Sequence, residues 1–281
     1  FGDQDIEQSI AARFEQQVQK YPSRPALMSQ QNVFTYDAIN RWANRLAHAI
    51  LARHTDEGSP IGLICKQGAA MTVASLGALK AGKIYAPIDY RLPPAHAKRM
   101  LQQLPASLIL TDRDNFALAR DLAAGAAEVL NVDSLDASLP DDNCAVAVSP
   151  ERIAYIHFTS GSTGAPKGVA ASHRSELHNI MKNTNVLKIS PQDRVSLLRS
   201  NNAGAARDTW LALLNGAALC PLELRDEGLA GLGRWLTEAQ ITVFSCVTTV
   251  FRHALGTPSA TSDSASRMSC ITLFRRPDSL S

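Results

Sequence analysis

Between residues 159 and 169 the chain reads Thr-Ser-Gly-Ser-Thr-Gly-Ala-Pro-Lys-Gly-Val. Glycines at 161, 164 and 168 let backbone N–H groups come close to an anion with no Cβ in the way. The hydroxyls of Thr159, Ser160, Ser162 and Thr163 add neutral donors, and Lys167 brings a cation to the same short stretch. Pro166 restricts the backbone just before that lysine. Such a set suits the phosphates of a nucleotide. It is not the P-loop of the NTPases, in which Gly-Lys is followed by Ser or Thr, because Lys167 stands between Pro166 and Gly168. A flexible Gly/Ser linker is the plainer alternative. The brevity of the loop, the apolar run 154–158 leading into it and its Pro-Lys-Gly end argue against that.

Other reactive side chains read as structural. The cysteines at 65, 144, 220, 246 and 270 are scattered, with no CxxC pair and no histidine at metal-ligand spacing. No metal ligand and no catalytic acid or base is identifiable. His157, at the end of the apolar run, is expected to pack within a strand, and His173 to assist a helix start after Ser172. Trp42 and Leu46 read as core, and Lys80 and Asp89 as structural or solvated.

The elements that must position the loop alternate between helix and strand. Ile6, Ile10, Phe14 and Val18 recur every four residues and predict an opening helix. Thr35 can cap a second helix with Ile39, Trp42, Ala43, Leu46 and Ile50 on one face. Short apolar runs at 61–65, 84–88, 108–110, 129–132, 195–198, 218–222 and 241–247 predict strands. Helices are expected at 69–81, with Gly82 as a left-handed cap, from the Pro93–Pro94 pair to about 104, at 116–122, through Trp210 and Leu214, and at 229–239. Repeated βα units predict an α/β fold of mainly parallel sheets flanked by helices. The stretch 134–150, rich in Asp, Ser and Pro, reads as a loop crossing the surface.

Composition sets outer bounds. With 281 residues, 45% hydrophobic and 19% charged, the chain has the make-up of an ordinary globular protein. A formal net charge of +2 gives no reason to expect nucleic acid or an anionic membrane as a partner. No apolar run is long enough to span a bilayer, and residues 1–20 do not read as a signal peptide, so cytoplasm is the default.

Residues 158–169 closely resemble the phosphate-loop signature of the adenylate-forming superfamily, and His173 matches the Ser-His-Arg that often follows it. Phe-Thr-Tyr-Asp at 34–37 with Ala-Asn-Arg-Leu-Ala at 43–47 is similar to the first signature of peptide-synthetase adenylation domains. Leu-Lys-Ala-Gly at 79–82 with Tyr-Ala-Pro-Ile-Asp at 85–89 is similar to the second. The resemblance implies a partial N-terminal subdomain of an adenylate-forming enzyme. Its expected function is ATP-dependent activation of an amino acid or other carboxylic acid as an acyl-adenylate, for loading on a carrier-protein thiol of phosphopantetheine. It implies ATP and Mg²⁺ as cofactors and assigns Thr159, Ser160, Gly161, Ser162, Thr163, Gly164 and Lys167 to the nucleotide.

In that family an acidic residue after the phosphate loop pairs with the substrate's α-amino group. Anchored on Ala-Leu-Leu-Asn-Gly-Ala at 212–217, the corresponding position is Ala203, preceded by Asn202. A buried ammonium without a carboxylate is costly, which points to acids lacking that amine. A slip of the alignment would instead leave Asp208 or another acid for the role. The family's Tyr-Gly-Pro-Thr-Glu and Thr-Gly-Asp segments and its C-terminal lysine are missing. The expected organisation is a partial adenylation domain over 1–257 and an atypical, frame-shifted or disordered tail over 258–281. The alternatives are a catalytically inactive nucleotide- or partner-binding module and an acyl-CoA-synthetase-like ligase.

Overall fold

A computed structural model describes residues 1–53, 59–160, 166–198, 203–223, 231–247, 250–251 and 271–275. The chain opens with a short 3-10 helix, Asp3–Ile6, and α1 begins only at Ile10 and runs Ile10–Lys20. Ser9 sets that start, because its side chain accepts a hydrogen bond from the Ala12 N–H at 3.1 Å. Ile6 therefore lies outside the helix that its spacing predicted, while Ile10, Phe14 and Val18 do share a buried face. Helix α2 (Tyr36–Arg53) is capped as expected, with Thr35 Oγ1 accepting from the Ala38 N–H at 3.2 Å. Helix α3 (Ala69–Lys80) is buried from Met71 to Lys80 on every face, as a helix enclosed between layers must be. Gly82 follows it with φ +68°, the left-handed cap that its position predicted.

The remaining helices are α4 (Pro94–Gln102), α5 (Phe116–Ala123), α6 (His173–Leu187), α7 (Ala203–Leu213) and α8 (Leu232–Glu238). The strands are β1 (Pro25–Met28), β2 (Val33–Thr35), β3 (Ile61–Ile64), β4 (Tyr85–Pro87), β5 (Leu108–Thr111), β6 (Glu128–Asn131), β7 (Ile153–Ser160), β8 (Pro166–Ser172), β9 (Arg194–Leu197), β10 (Ala218–Pro221), β11 (Val243–Val247) and β12 (Ile271–Arg275). They form two sheets, in the orders β12-β11-β9-β10-β1-β2 and β6-β5-β3-β4-β7-β8. Within each sheet the inner pairs are parallel. Antiparallel strands stand only at edges: β2 against β1, β12 against β11, and β8 against β7. The α/β fold with mainly parallel sheets is as expected from the sequence. Strand β8 is new, since its residues are largely exposed and show no apolar alternation.

One large core fills the space between the layers and joins residues of α1, α2, α3 and α7 to both sheets. Its tightest helix contact is α2 on α3. A Cβ built on Gly77 would stand 2.6 Å from Leu46 Cδ2 and 3.0 Å from Leu46 Cβ, and Leu46 is fully buried. Gly77→Ala is therefore expected to lower unfolding stability by about 1–3 kcal/mol, the usual cost of overpacking, in spite of alanine's better helix propensity. Urea unfolding checks this, and an unchanged midpoint would show that the helices can separate freely.

Lys80 is structural rather than solvated. It is 3% exposed, paired with Glu15, and donates to Asn143 Oδ1 at 3.2 Å. Asn143 also receives the side-chain amides of Asn40 and Asn44, and Asp141 binds Arg45 at 2.7 Å. The 134–150 connection thus crosses the surface held against α2 and α3.

Candidate functional site

Strand β7 delivers the candidate loop and β8 carries its far side. In their antiparallel ladder Thr159 pairs with Lys167 and Ser160 with Pro166. The Thr159 hydroxyl reaches the Lys167 carbonyl at 3.4 Å, and both residues are exposed. Among the described residues Lys167 forms no ion pair, so its ammonium is available to an anion. Gly161, Ser162, Thr163 and Gly164 lie outside the described residues, and for Ser160 only the backbone is described. Asn202 is likewise outside them, and Ala203 is the first residue of α7.

Strand alternation sends Ile156 and Phe158 toward one hydrophobic cluster, and Tyr155 and His157 to the opposite face. The Tyr155 ring meets His157 edge-on at 4.7 Å and Tyr85 at 5.4 Å. The Tyr155 hydroxyl donates to Glu176 Oε2 at 2.5 Å. Burial pushes the Glu176 carboxyl pKa up, and the Tyr155 bond only partly opposes that. His157 is 4% exposed, and desolvation pulls its pKa down to about 4. Among the described residues neither of its ring nitrogens has a hydrogen-bond partner.

His173 stands at the start of α6, where the Ser172 hydroxyl accepts from the Ser175 N–H at 3.1 Å. Its Nδ1 accepts from the Ile10 N–H at 3.1 Å, so the imidazole also serves the first turn of α1. Burial lowers its pKa to about 4 as well, with Arg152 adding to the effect.

At the ends of β4 and β10 a charged cluster bridges the two sheets. Asp89 holds Arg91 through the backbone N–H at 3.0 Å and Nε at 2.9 Å, while Arg91 also pairs with Glu223. The Tyr90 hydroxyl reaches Glu223 at 3.4 Å. Asp89 is therefore a structural residue next to the site.

Asp208 is fully buried and already committed. Its Oδ1 accepts from Arg207 Nη2 at 2.6 Å and Nε at 3.2 Å, and its Oδ2 accepts from Ser245 Oγ at 2.8 Å. Ser245 in turn donates its N–H to Ser196 Oγ at 2.8 Å. A carboxylate satisfied in this way is a poor partner for a substrate ammonium. Sequence reasoning did not foresee this network, or the pairing of Tyr155 with Glu176. The strand period that places Tyr155 beside His157 was the one signal available for either.

Among the described residues no group of three or more His, Cys, Asp or Glu side chains could hold a metal ion. No helix among them is long and apolar enough to cross a membrane.

Comparison with known proteins agrees with this architecture. Tyrocidine synthase 1 of Brevibacillus parabrevis is 30% identical over 250 residues, covering 87% of this chain and 23% of that protein. Gramicidin S synthase 2 of Brevibacillus brevis is 31% identical over 249 residues, covering 88% of this chain and 6% of that protein. The chain thus spans less than a quarter of either relative. A crystal structure of the nonribosomal peptide synthetase FmoA3 shares the fold, with a TM-score of 0.82 at 24% identity, covering 92% of this chain and 27% of that one. The same protein has been solved with AMPPNP and with alpha-methyl-L-serine-AMP bound. A family model for AMP-binding enzymes matches residues 14–273, and the chain belongs to that family.

Proposed function

We propose that this chain forms part of an adenylation unit that activates an amino acid or other carboxylic acid with ATP, as an acyl-adenylate destined for a carrier-protein thiol. The observation that carries the reading is the β7–β8 hairpin, which sets Thr159 opposite Lys167 at the end of a parallel sheet. Ligands of open α/β sheets gather at such carboxyl ends. The exposed Lys167 ammonium and the Thr159 hydroxyl fit an anion, and we assign 159–164 with Lys167 to the phosphates. Bound ATP supplies an electrophilic α-phosphorus and a pyrophosphate leaving group. Lys167 and the loop donors would hold the phosphates in line and offset the charge that gathers on them. With no ligand cluster among the described residues, Mg²⁺ fits best as an ion carried in on the nucleotide.

The start of α7 supports a narrower reading of the acid. Ala203 offers no carboxylate, and Asp208 is closed off by Arg207 and Ser245. We therefore assign the acid to the stretch at Asn202 and Ala203, and an acid without a free α-amino group suits these residue types best.

A ligand bound only by the folded state raises stability by about 2.7 kcal/mol at a hundredfold excess over Kd. ATP with Mg²⁺ is therefore expected to raise the melting temperature of the chain, and Lys167→Ala to remove most of that rise. Equal shifts in the two proteins would take the hairpin out of the account.

A further inference from the structure

At the carboxyl ends of the two sheets one guanidinium reaches both. Strand β4 lies beside β7 with Tyr85 level with Tyr155, and counting four residues on from each brings Asp89 level with Thr159. Strand β10 lies beside β9, and the Leu222 N–H donates to the Leu197 carbonyl at 3.0 Å. Glu223 therefore stands where the chain leaves β9 for Asn202 and Ala203. Asp89 thus flanks the stretch assigned to phosphates, and Glu223 the stretch assigned to the acid.

Arg91 holds the two carboxylates together. Its Nε donates to Asp89 Oδ1 at 2.9 Å, its Nη2 to Asp89 Oδ2 at 3.0 Å, and its Nη1 to Glu223. With each nitrogen committed to a carboxylate, the guanidinium is poorly placed to grip a phosphate as well. The three side chains are between 18% and 28% exposed, so water screens them less than it would an open surface pair. Without the cation, carboxylates from the two sheets would face each other and repel. The shared core already joins the sheets. Arg91 adds a link at the rim, beside both assigned stretches.

We infer that Arg91 is a positioning residue, which sets the spacing between the phosphate hairpin and the acid stretch by tying Asp89 to Glu223. The inference rests on the acid-activating function proposed above. It adds the side chains that bring the two halves of the reaction within reach of each other. A ligand that engages both stretches at once binds tightly only where their spacing allows it. A ligand of one stretch alone is indifferent to that spacing.

The test uses one ligand of each kind, titrated calorimetrically. AMPPNP with Mg²⁺ engages the phosphate side alone. An acyl sulfamate of adenosine joins an acyl group to the nucleoside through a sulfamate and so mimics the acyl-adenylate. It is made with benzoyl, 3-methylbutanoyl and leucyl groups, and the tightest binder is used. Glu223→Leu cuts the tie and leaves the Asp89–Arg91 pair intact beside Thr159. Glu223→Gln removes the same charge but keeps an oxygen that accepts from Arg91. Glu223→Leu should weaken the acyl sulfamate at least about tenfold, because a displacement of about 1 Å at a site can cost more than that. AMPPNP should stay within about twofold, since it does not span the two stretches. Glu223→Gln should keep the acyl sulfamate within about threefold of the parent chain. Adding Glu223→Leu to Arg91→Met should weaken it no further, as expected for two ends of one tie.

Equal losses for the two ligands in Glu223→Leu, or no loss for either, overturn the inference. So does a Glu223→Gln protein as impaired as Glu223→Leu, which would make charge rather than the tie responsible. An acyl sulfamate that binds the parent chain no more tightly than AMPPNP overturns it too, since the acid stretch would then take no part. Melts with AMPPNP and Mg²⁺ separate the two levels. Without a nucleotide shift, the acid-activating reading falls and this inference with it. With a nucleotide shift and no difference between Glu223→Leu and the parent chain, only the role of Arg91 falls.

Discussion

Acidifying the protein from pH 7 toward pH 4 is expected to remove a large part of its stability, well above the range in which ordinary carboxylates titrate. His157 and His173 are both held neutral by burial, with pKa values near 4 in place of the ordinary 6.5. In the unfolded chain each takes up a proton near pH 6.5, whereas the folded protein resists until about pH 4. Between those values the unfolded state binds more protons, so falling pH favours it. Above pH 6.5 the contribution is fully present, and by pH 4 it is lost. Each shift corresponds to about 3 kcal/mol, and the pair is comparable to the whole stability of many domains. Glu176 works in the opposite sense. Its raised pKa lets the folded state gain a proton before the unfolded one does, which offsets part of the loss at the acid end. Urea midpoints at about pH 7.5, 6.5, 5.5 and 4.5 would show the slope. His157→Leu should roughly halve it, and His173→Gln, which keeps an acceptor for the Ile10 N–H, should do the same. A slope untouched by either change would mean that other groups govern acid unfolding.

Arg207→Met is expected to cost about 3–5 kcal/mol, because it leaves the Asp208 carboxylate buried without its cation. The pair itself need not be worth that much. Removing both charges at once commonly costs little, since the desolvation of two ions disappears along with their attraction. Arg207→Met combined with Asp208→Leu should therefore recover most of the lost stability, with the remaining deficit set by Ser245, whose hydroxyl loses its acceptor. The contrast between single and double variants in equilibrium unfolding is the measurement. If the double variant were no more stable than the single, the network would be contributing through geometry that an apolar pair cannot replace.

How much of this was legible depended on which interactions were local. The caps at Thr35 and Gly82 were readable because the capping residue and the helix it ends are neighbours in sequence. Strands β3 and β5 stood out as apolar runs because both faces of each are buried. Strand β8 was not readable, since an edge strand whose residues after Pro166 are all exposed or half-exposed carries no apolar period. Nor was the pairing of Arg207 with Asp208. Adjacent helix residues do not normally face each other, and it takes Ser245 from β11 to gather them. The loop could be recognised by composition, but the surroundings of His157 in the strand that leads into it, with Tyr155 edge-on against its ring, could not.

The β7–β8 pairing also limits how this chain can change over time. Pairing fixes Thr159 against Lys167 at one end of the hairpin and Ile153 against Ser172 at the other. Just beyond Ser172, His173 is tied to Ile10. Substitution on the exposed face of β8 disturbs none of these links. Loss or gain of a single residue disturbs one of them wherever it falls. On the Lys167 side it carries the lysine to the opposite face of the ladder, and on the Ser172 side it pulls the imidazole off α1. The irregularity already present between Ile153 and Tyr155 shows where one odd residue has been accommodated, on the strand that does not carry the lysine. Lineages descending from this sequence should therefore vary most freely at Val169 and Ala170, both exposed, while keeping the number of residues between Lys167 and Ser172.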